Sequence, residues 1–150
     1  MRFLLFVMLF GLQSINAKAQ TAEDSVKLAV NKLFNGMITG DAAMIRDAFT
    51  DSAVLQSVGR EKDGKVTIEN DRISDFADLI SKLPKGDADE RISFDVIKID
   101  GALAIVWAPY KFYLKGVFSH CGVDSFQLVK INNLWKIQYL IDTRRRKGCE

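Results

Sequence analysis

Apolar residues recur at helical spacing along the first third of the chain: Val26, Val30, Leu33 and Met37 share one face, and Gly40 closes the run. Thr21 stands at its head as an N-cap, with Asp24 in the first turn. Asp41 is placed to cap a short second helix carrying Met44, Ile45, Ala48 and Phe49. A third helix is expected from about Asn70, with Ile73, Phe76, Ala77, Ile80 and Leu83 on one face and Pro84 as its stop. Between the second and third, "AVLQSV" and "KVTIEN" flank "GREKDG" and predict a small hairpin.

After "KGDADE" the period changes from helical to two. From Arg91 to Thr143 the turn signals Asp100-Gly101, Lys115-Gly116 and Asn132-Asn133 divide the chain into four antiparallel strands of a meander. Two-residue loops set Ile99 opposite Ala102, Leu114 opposite Val117 and Ile131 opposite Leu134. Counting outward gives rows Val96, Ile105, Phe126, Tyr139; Lys98, Leu103, Leu128, Ile137; and Phe94, Trp107, Asp124, Ile141. A bulge at Pro109 would shift the outermost rows. Helices first and a long antiparallel meander afterwards make an α+β architecture with the helices on one sheet face.

The N-terminal segment follows a different rule. Met1 and Arg2 precede the apolar run "FLLFVMLFGL", and "AKA" at Ala17 to Ala19 has the small-x-small form of a cleavage site. The run is about half the roughly 20 residues a membrane span needs. Residues 1 to 19 therefore read as a signal peptide, residues 20 to 150 as one exported domain, periplasmic or secreted, with no stable membrane insertion after cleavage. Removing Arg2 and Lys18 takes the basic count from 21 to 19, equal to the 19 acidic residues. A neutral domain lacks the positive field that non-specific nucleic-acid binding requires, so no nucleic-acid partner is expected. The run Arg144 to Lys147 reads as a solvated strand end.

The order of elements, the stretch "WAPYKFYLKGVFSHCGVDSFQLVK" and the ending "WKIQYLIDTRRR" resemble the nuclear transport factor 2-like (SnoaL-like) superfamily. Within it they are most similar to the exported bacterial branch labelled "putative lumazine-binding", over essentially the whole mature chain. "SHCG" with the following "FQL", and "DTRR", are the more specific pieces. The resemblance implies a cone-shaped fold, its three N-terminal helices packed on a strongly curved antiparallel sheet around a cavity, often in a homodimer. It brings no established chemistry.

Alternation on the strand "FSHCGVDSFQLVK" turns His120, Gly122, Asp124, Phe126 and Leu128 inward and Cys121, Val123, Ser125, Gln127 and Val129 outward. His120 and Asp124 lie about 13 Å apart along the strand, too far for a hydrogen bond. The register gives Asp124 the neighbours Trp107 and Ile141, with Tyr139 on the diagonal. An apolar wall raises a carboxyl pKa, and a tyrosine hydroxyl opposes that. Asp124 with Tyr139 is thus a candidate acid/base pair, as ketosteroid isomerase of the same superfamily uses an aspartate. Equally, Asp124 orients a ligand or finishes the core through a hydrogen bond. Trp107, His120, Asp124, Phe126, Tyr139 and Ile141 form the candidate ligand-binding set. His120, set between Lys111 and Arg145, marks either an anion-receiving end or a wet rim.

One histidine and two distant cysteines make no zinc site, and phosphate-loop, dinucleotide and nucleophile-elbow motifs are absent from the sequence. No metal or cofactor is expected. Asp87, Asp89 and Glu90 lack calcium-loop spacing and read as solvated. Three functions stay open: binding of a small flat organic ligand, an isomerase, dehydratase or cyclase using Asp124, and a non-catalytic dimeric interaction module. Cys121, opposite Arg144 in this register, is expected to bond Cys149 in an oxidising compartment. An outer face of Ile97, Ala102, Ala104, Val106, Val123, Val129 and Leu140 is expected to join two copies.

Overall fold

The computed structural model describes residues 13–61 and 63–149, with side chains from Ala22 onward. Helix α1 (Gln13–Thr39) begins well before Thr21, which therefore lies inside the helix and is not its N-cap. The proposed cleavage segment at residues 17 to 19 is part of that helix, while residues 1 to 12 lie outside the described residues. Val26, Val30, Leu33, Phe34 and Met37 form its buried stripe. Gly40 ends α1 in the left-handed region (φ +68°) while the Asp41 N–H bonds Gly36 O at 2.9 Å. The Asp41 carboxylate then accepts from Met44 N at 2.9 Å and starts α2 (Ala42–Ala48).

β1 (Phe49–Arg60) and β2 (Val66–Asp71) form the expected hairpin, followed by α3 (Ile73–Ser81). Two helices thus precede the sheet, and the third follows the hairpin. β3 (Ala88–Ile92), β4 (Val96–Asp100), β5 (Leu103–Leu114), β6 (Val117–Ile131) and β7 (Leu134–Thr143) complete the chain. One seven-stranded sheet results, in the order β2-β1-β7-β6-β5-β3, with β4 also on β5. The β1–β7 pairing is parallel and carries the hairpin into the meander; the other pairings are antiparallel.

Two features depart from the four-strand expectation. The first strand is two, β3 and β4, meeting opposite Pro109, whose ring leaves no N–H for a continuous ladder. Ser93 N bonds Pro109 O and Asp95 N bonds Trp107 O across this break. The turn between β4 and β5 also sits one residue later than expected: Asp100 pairs with Leu103, and Gly101 takes the first central position at φ +57°. The pairs Leu114–Val117 and Ile131–Leu134 are as counted, their turns built on the positive φ of Lys115, Gly116, Asn132 and Asn133.

Bulges then decide which side chains face the core. On β6 Ser119 is an extra residue between the pairs Phe112–His120 and Tyr113–Phe118, and on β7 Gln138 is extra between Leu128–Ile137 and Gln127–Tyr139. Each extra residue inverts the facing of the partner strand beyond it. The inner residues of β5 are consequently Ala104, Val106, Ala108 and Tyr110, and those of distal β7 are Leu140 and Asp142. Ala104, Val106 and Leu140, expected on the outer face, are core residues. Gln138 is anchored by accepting from Thr50 Oγ1 at 2.8 Å and donating to Ser52 O at 3.1 Å, which ties β7 to β1. Phe126, fully buried on β6, meets Phe34 of α1 edge-on at 6.2 Å and joins the helical layer to the sheet.

At the end of β7 the chain folds back over β6. Arg145 and Cys121 exchange backbone hydrogen bonds of 2.8 and 2.9 Å, one residue beyond the expected partner Arg144 because of the Gln138 bulge. Cys121 and Cys149 are disulfide-bonded, with Cα atoms 5.7 Å apart. Gly122 makes the crossing possible, since a Cβ there would lie 1.7 Å from Thr143 O. That carbonyl accepts from the Tyr110 hydroxyl at 3.0 Å. Gly122→Ala is expected to destabilise the domain by about 3 kcal/mol or more, read from urea unfolding, because the obstacle is backbone. Reduction of the disulfide, which closes a 28-residue separation, should cost about 3 to 4 kcal/mol in the same assay. Two free thiols in the unfolded, unreduced chain would contradict the bond.

Candidate functional site

The helices and the inner sheet face enclose a cavity of about 160 Å³. Leu33, Phe34 and Met37 of α1, Phe76 and Ile80 of α3, and Leu55, Phe112 and Leu140 of the sheet form its apolar walls. Glu90, Tyr110, His120, Asp124, Asp142 and Arg144 supply most of its polar lining. Alternation places them there: Glu90 shares the inner side of β3 with Ala88, and Asp124 shares that of β6 with Phe126.

Asp124 lies directly opposite Asp142, and both are buried. Facing like charges destabilise a sheet pair unless something offsets them. For Asp142 that offset is complete. It accepts from Ser57 Oγ, from the Tyr110 hydroxyl at 3.0 Å and from Arg144 Nε at 2.9 Å, while Arg144 Nη2 also donates to Ser57 Oγ at 2.8 Å. Asp124 has no such cage. Its Oδ2 is buried without a hydrogen-bond partner among the described residues. Burial, followed by the charges of Glu90 and Asp142, holds its carboxyl well above the usual range.

Glu90 retains some accessible surface, but its carboxyl is enclosed, and burial pushes it up to about 7. Hydrogen bonding with Asp124 and the charge of Arg144 pull it down, while the charge of Asp142 adds to the rise. Asp124 and Glu90 thus interact carboxyl to carboxyl, while Asp124 Oδ2 has no hydrogen-bond donor among the described residues. His120 is pushed down by burial and then by Arg144. Its Nδ1 is 3.0 Å from Ser119 Oγ, and its ring packs against Tyr110 and Phe112 at 5.7 and 5.2 Å. Burial and the Asp142 charge raise the Tyr110 hydroxyl, keeping it protonated as a donor.

Of the residues expected in the site, Asp124 and His120 line the cavity. Phe126 faces inward but is packed into the core against Phe34. Trp107, Tyr139 and Ile141 are on the opposite face, a correction that follows from the Ser119 and Gln138 bulges. Ala108 replaces Trp107, and Asp142 replaces Ile141, as the neighbours of Asp124. Tyr139 donates to Gln56 Oε1 at 2.6 Å on that outer side, so the tyrosine of the acid cluster is Tyr110. His120 pairs with Phe112, not Lys111. Glu90 and Arg144, read as solvated, both line the cavity; the pattern Ala88-x-Glu90-x-Ile92 held the signal for Glu90. Among the described residues no group of three or more His, Cys, Asp or Glu is arranged to hold a metal ion.

Helices over one face of a long, mostly antiparallel sheet, with a cavity between, define a nuclear transport factor 2-like domain. The chain belongs to the family described as "Putative lumazine-binding", whose model matches residues 21–139. Solved structures agree on the fold. An NTF2-like protein of unknown function from Shewanella baltica is 20% identical, with TM-score 0.64 over 85% of this chain and 96% of its own. One from Methylobacillus flagellatus, also 20% identical, has TM-score 0.64 over 83% and 93%. A domain of unknown function with a cystatin-like fold from Nostoc punctiforme is 14% identical, with TM-score 0.64 over 84% and 78%. No curated protein sequence matches the chain.

The acid cluster sets a pH signature. Glu90 rises from 4.5 to about 7 on folding, so the folded chain holds more protons than the unfolded chain between these values. Stability should therefore fall as pH rises through that window, by on the order of 3 kcal/mol. Glu90→Gln should flatten the slope and make the domain more stable than wild type at pH 8, as measured by urea unfolding at pH 5 and pH 8.

Proposed function

We propose that this chain is an exported small-molecule-binding domain whose ligand lies between α1, α3 and the sheet. The observation that carries this reading is an apolar cavity ending at a buried carboxyl group with an unpartnered oxygen. Phe34, Phe76 and Phe112 are among the walls, which suits a flat organic body, and the polar end supplies orientation. The family's description as lumazine-binding supports a small organic ligand. Export rests on the N-terminal apolar run and the small-x-small site, and the Cys121–Cys149 bond accords with an oxidising compartment.

A second reading, an isomerase, dehydratase or cyclase, is favoured by one feature: Glu90 is pushed up to about 7, where a general acid or base works best, beside an Asp124 carboxyl that burial also raises. In that reading Asp124 acts with Glu90 and Tyr110, and Tyr139 has no part. A third reading, dimerisation, uses the outer face. Val96, Leu103, Ile105 and Trp107 are each between 38% and 47% exposed there, a contiguous apolar strip of the kind that joins two copies.

Small flat heteroaromatic compounds, pterins among them, should raise the melting temperature of the wild-type domain in proportion to occupancy. Met37→Trp should fill the cavity and abolish the shift while the domain stays folded. A wild-type protein that no compound stabilises would remove the binding reading. Ile105→Glu should convert a dimer to a monomer in light scattering at micromolar concentration, and a wild-type monomer there would remove the interaction reading.

A further inference from the structure

We propose that the inner end of the cavity receives a nitrogen cation: a small ligand whose protonated amine or amidinium sits on the Asp124 and Glu90 carboxyl groups. This rests on the binding reading above and names the chemistry of its ligand.

Charge balance at the cavity supports it first. Four acids line the cavity: Asp71 from β2, Glu90 from β3, Asp124 from β6 and Asp142 from β7. Arg144 is the single lining arginine, and its Nε and Nη2 are committed to Asp142 and Ser57. The Tyr110 hydroxyl is committed to Asp142 and Thr143 O. Burial and Arg144 keep His120 toward its neutral form, and its Nδ1 is engaged with Ser119. The lining residues of α1 and α3 are Leu33, Phe34, Met37, Phe76 and Ile80, which carry no charge. Among the described residues Glu90 and Asp124 are thus left without a hydrogen-bonded cation, Arg144 acting on them only through its charge.

The second support is the orphan oxygen. Asp124 is 3% exposed, and its Oδ2 lacks a donor among the described residues. A buried carboxyl oxygen is seldom left so, because forgoing its hydrogen bond is costly. A ligand N–H at that point supplies the missing donor, and a charged one makes the stronger bond. The cavity, at about 160 Å³, is smaller than the range for drug-sized ligands, which limits the cation to a small body against the apolar walls.

The proton balance follows. Unliganded, Glu90 is pushed up to about 7 and so holds a proton below that pH, beside an Asp124 carboxyl that is also raised. A ligand that arrives already protonated keeps its own proton, and the one held by the carboxyl pair leaves to solvent. Binding should therefore strengthen as pH rises through about 7, where Glu90 titrates, and should release protons.

Benzamidine and its uncharged counterpart benzamide are the probes, measured by isothermal calorimetry against the whole expressed chain. Titrations at pH 6, 7 and 8 use two buffers of different ionisation enthalpy to count released protons. The proposal expects benzamidine to bind about tenfold or more tightly than benzamide at pH 8, to weaken toward pH 6, and to release protons. Asp124→Asn and Glu90→Gln should each lose that preference while still binding benzamide, which also shows that they fold. Equal affinity for the two probes, or a benzamidine affinity that does not change with pH, overturns the cation site and leaves the cavity reading standing. Failure of both probes while a flat heteroaromatic binds overturns it as well. If no compound of either kind binds, the cavity reading falls with it.

Discussion

The cage around Asp142 is the interaction on which the rest of the site depends. Two aspartates face one another across β6 and β7 on the buried side of the sheet, an arrangement that repels unless one is neutralised. Ser57 from β1, Tyr110 from β5 and Arg144 from the segment after β7 all converge on Asp142. Two strands and the segment after β7 are thereby tied to one carboxyl group, and the parallel β1–β7 pairing brings Ser57 into reach. With Asp142 satisfied, the remaining electrostatic cost falls on Asp124 and Glu90, which meet it by holding protons. The asymmetry between two acids of the same type, one caged and one open, is what gives the cavity a polar end with unused bonding capacity.

That asymmetry follows strand β6. Leu128 and Phe126 are fully buried, and Phe34 of α1 packs edge-on against Phe126. Two residues further back, at Asp124, the lining is a carboxyl group, and at Gly122 there is no side chain at all, so Thr143 O and Tyr110 occupy that space. One alternating strand thus passes from packed core to cavity to the mouth at His120. The truncation at Gly122 and the bulge at Ser119 turn the first part of the strand from packing to chemistry.

The elements were legible in the sequence because each announces itself locally. Helical spacing marks Val26 to Met37, Asp41 caps α2, and Asn132-Asn133 fixes the last turn. The inner side of β6 was legible for the same reason, since alternation needs no partner strand. The facing of β5 and β7 was not. Ser119 and Gln138 are ordinary residues in strand-like surroundings, and a bulge depends on bonds made far along the chain, such as those from Gln138 to Thr50 and Ser52. A one-residue slip exchanges the faces, which moved Trp107, Tyr139 and Ile141 outward and brought in Tyr110 and Asp142. Arg144 was hidden differently: within a basic run, only the fold-back of the chain separates the arginine whose guanidinium reaches Asp142 and Ser57 from Arg145, whose Nε bonds Gly148 O.

The fold-back also explains why a bond at the surface bears on a buried acid. Arg144 reaches Asp142 from a segment that belongs to no strand, so its guanidinium is placed only as well as its backbone is held. Two backbone bonds between Arg145 and Cys121 fix the next residue, and the Cys121–Cys149 bond fixes the tail beyond it. Without the disulfide, that short bridge would have to resist the conformational freedom of the terminal residues alone. Loosening there would draw the guanidinium off Asp142 and leave two facing aspartates with no cation bonded to either. The disulfide therefore acts on the cavity through charge, by keeping Arg144 assigned to a single acid.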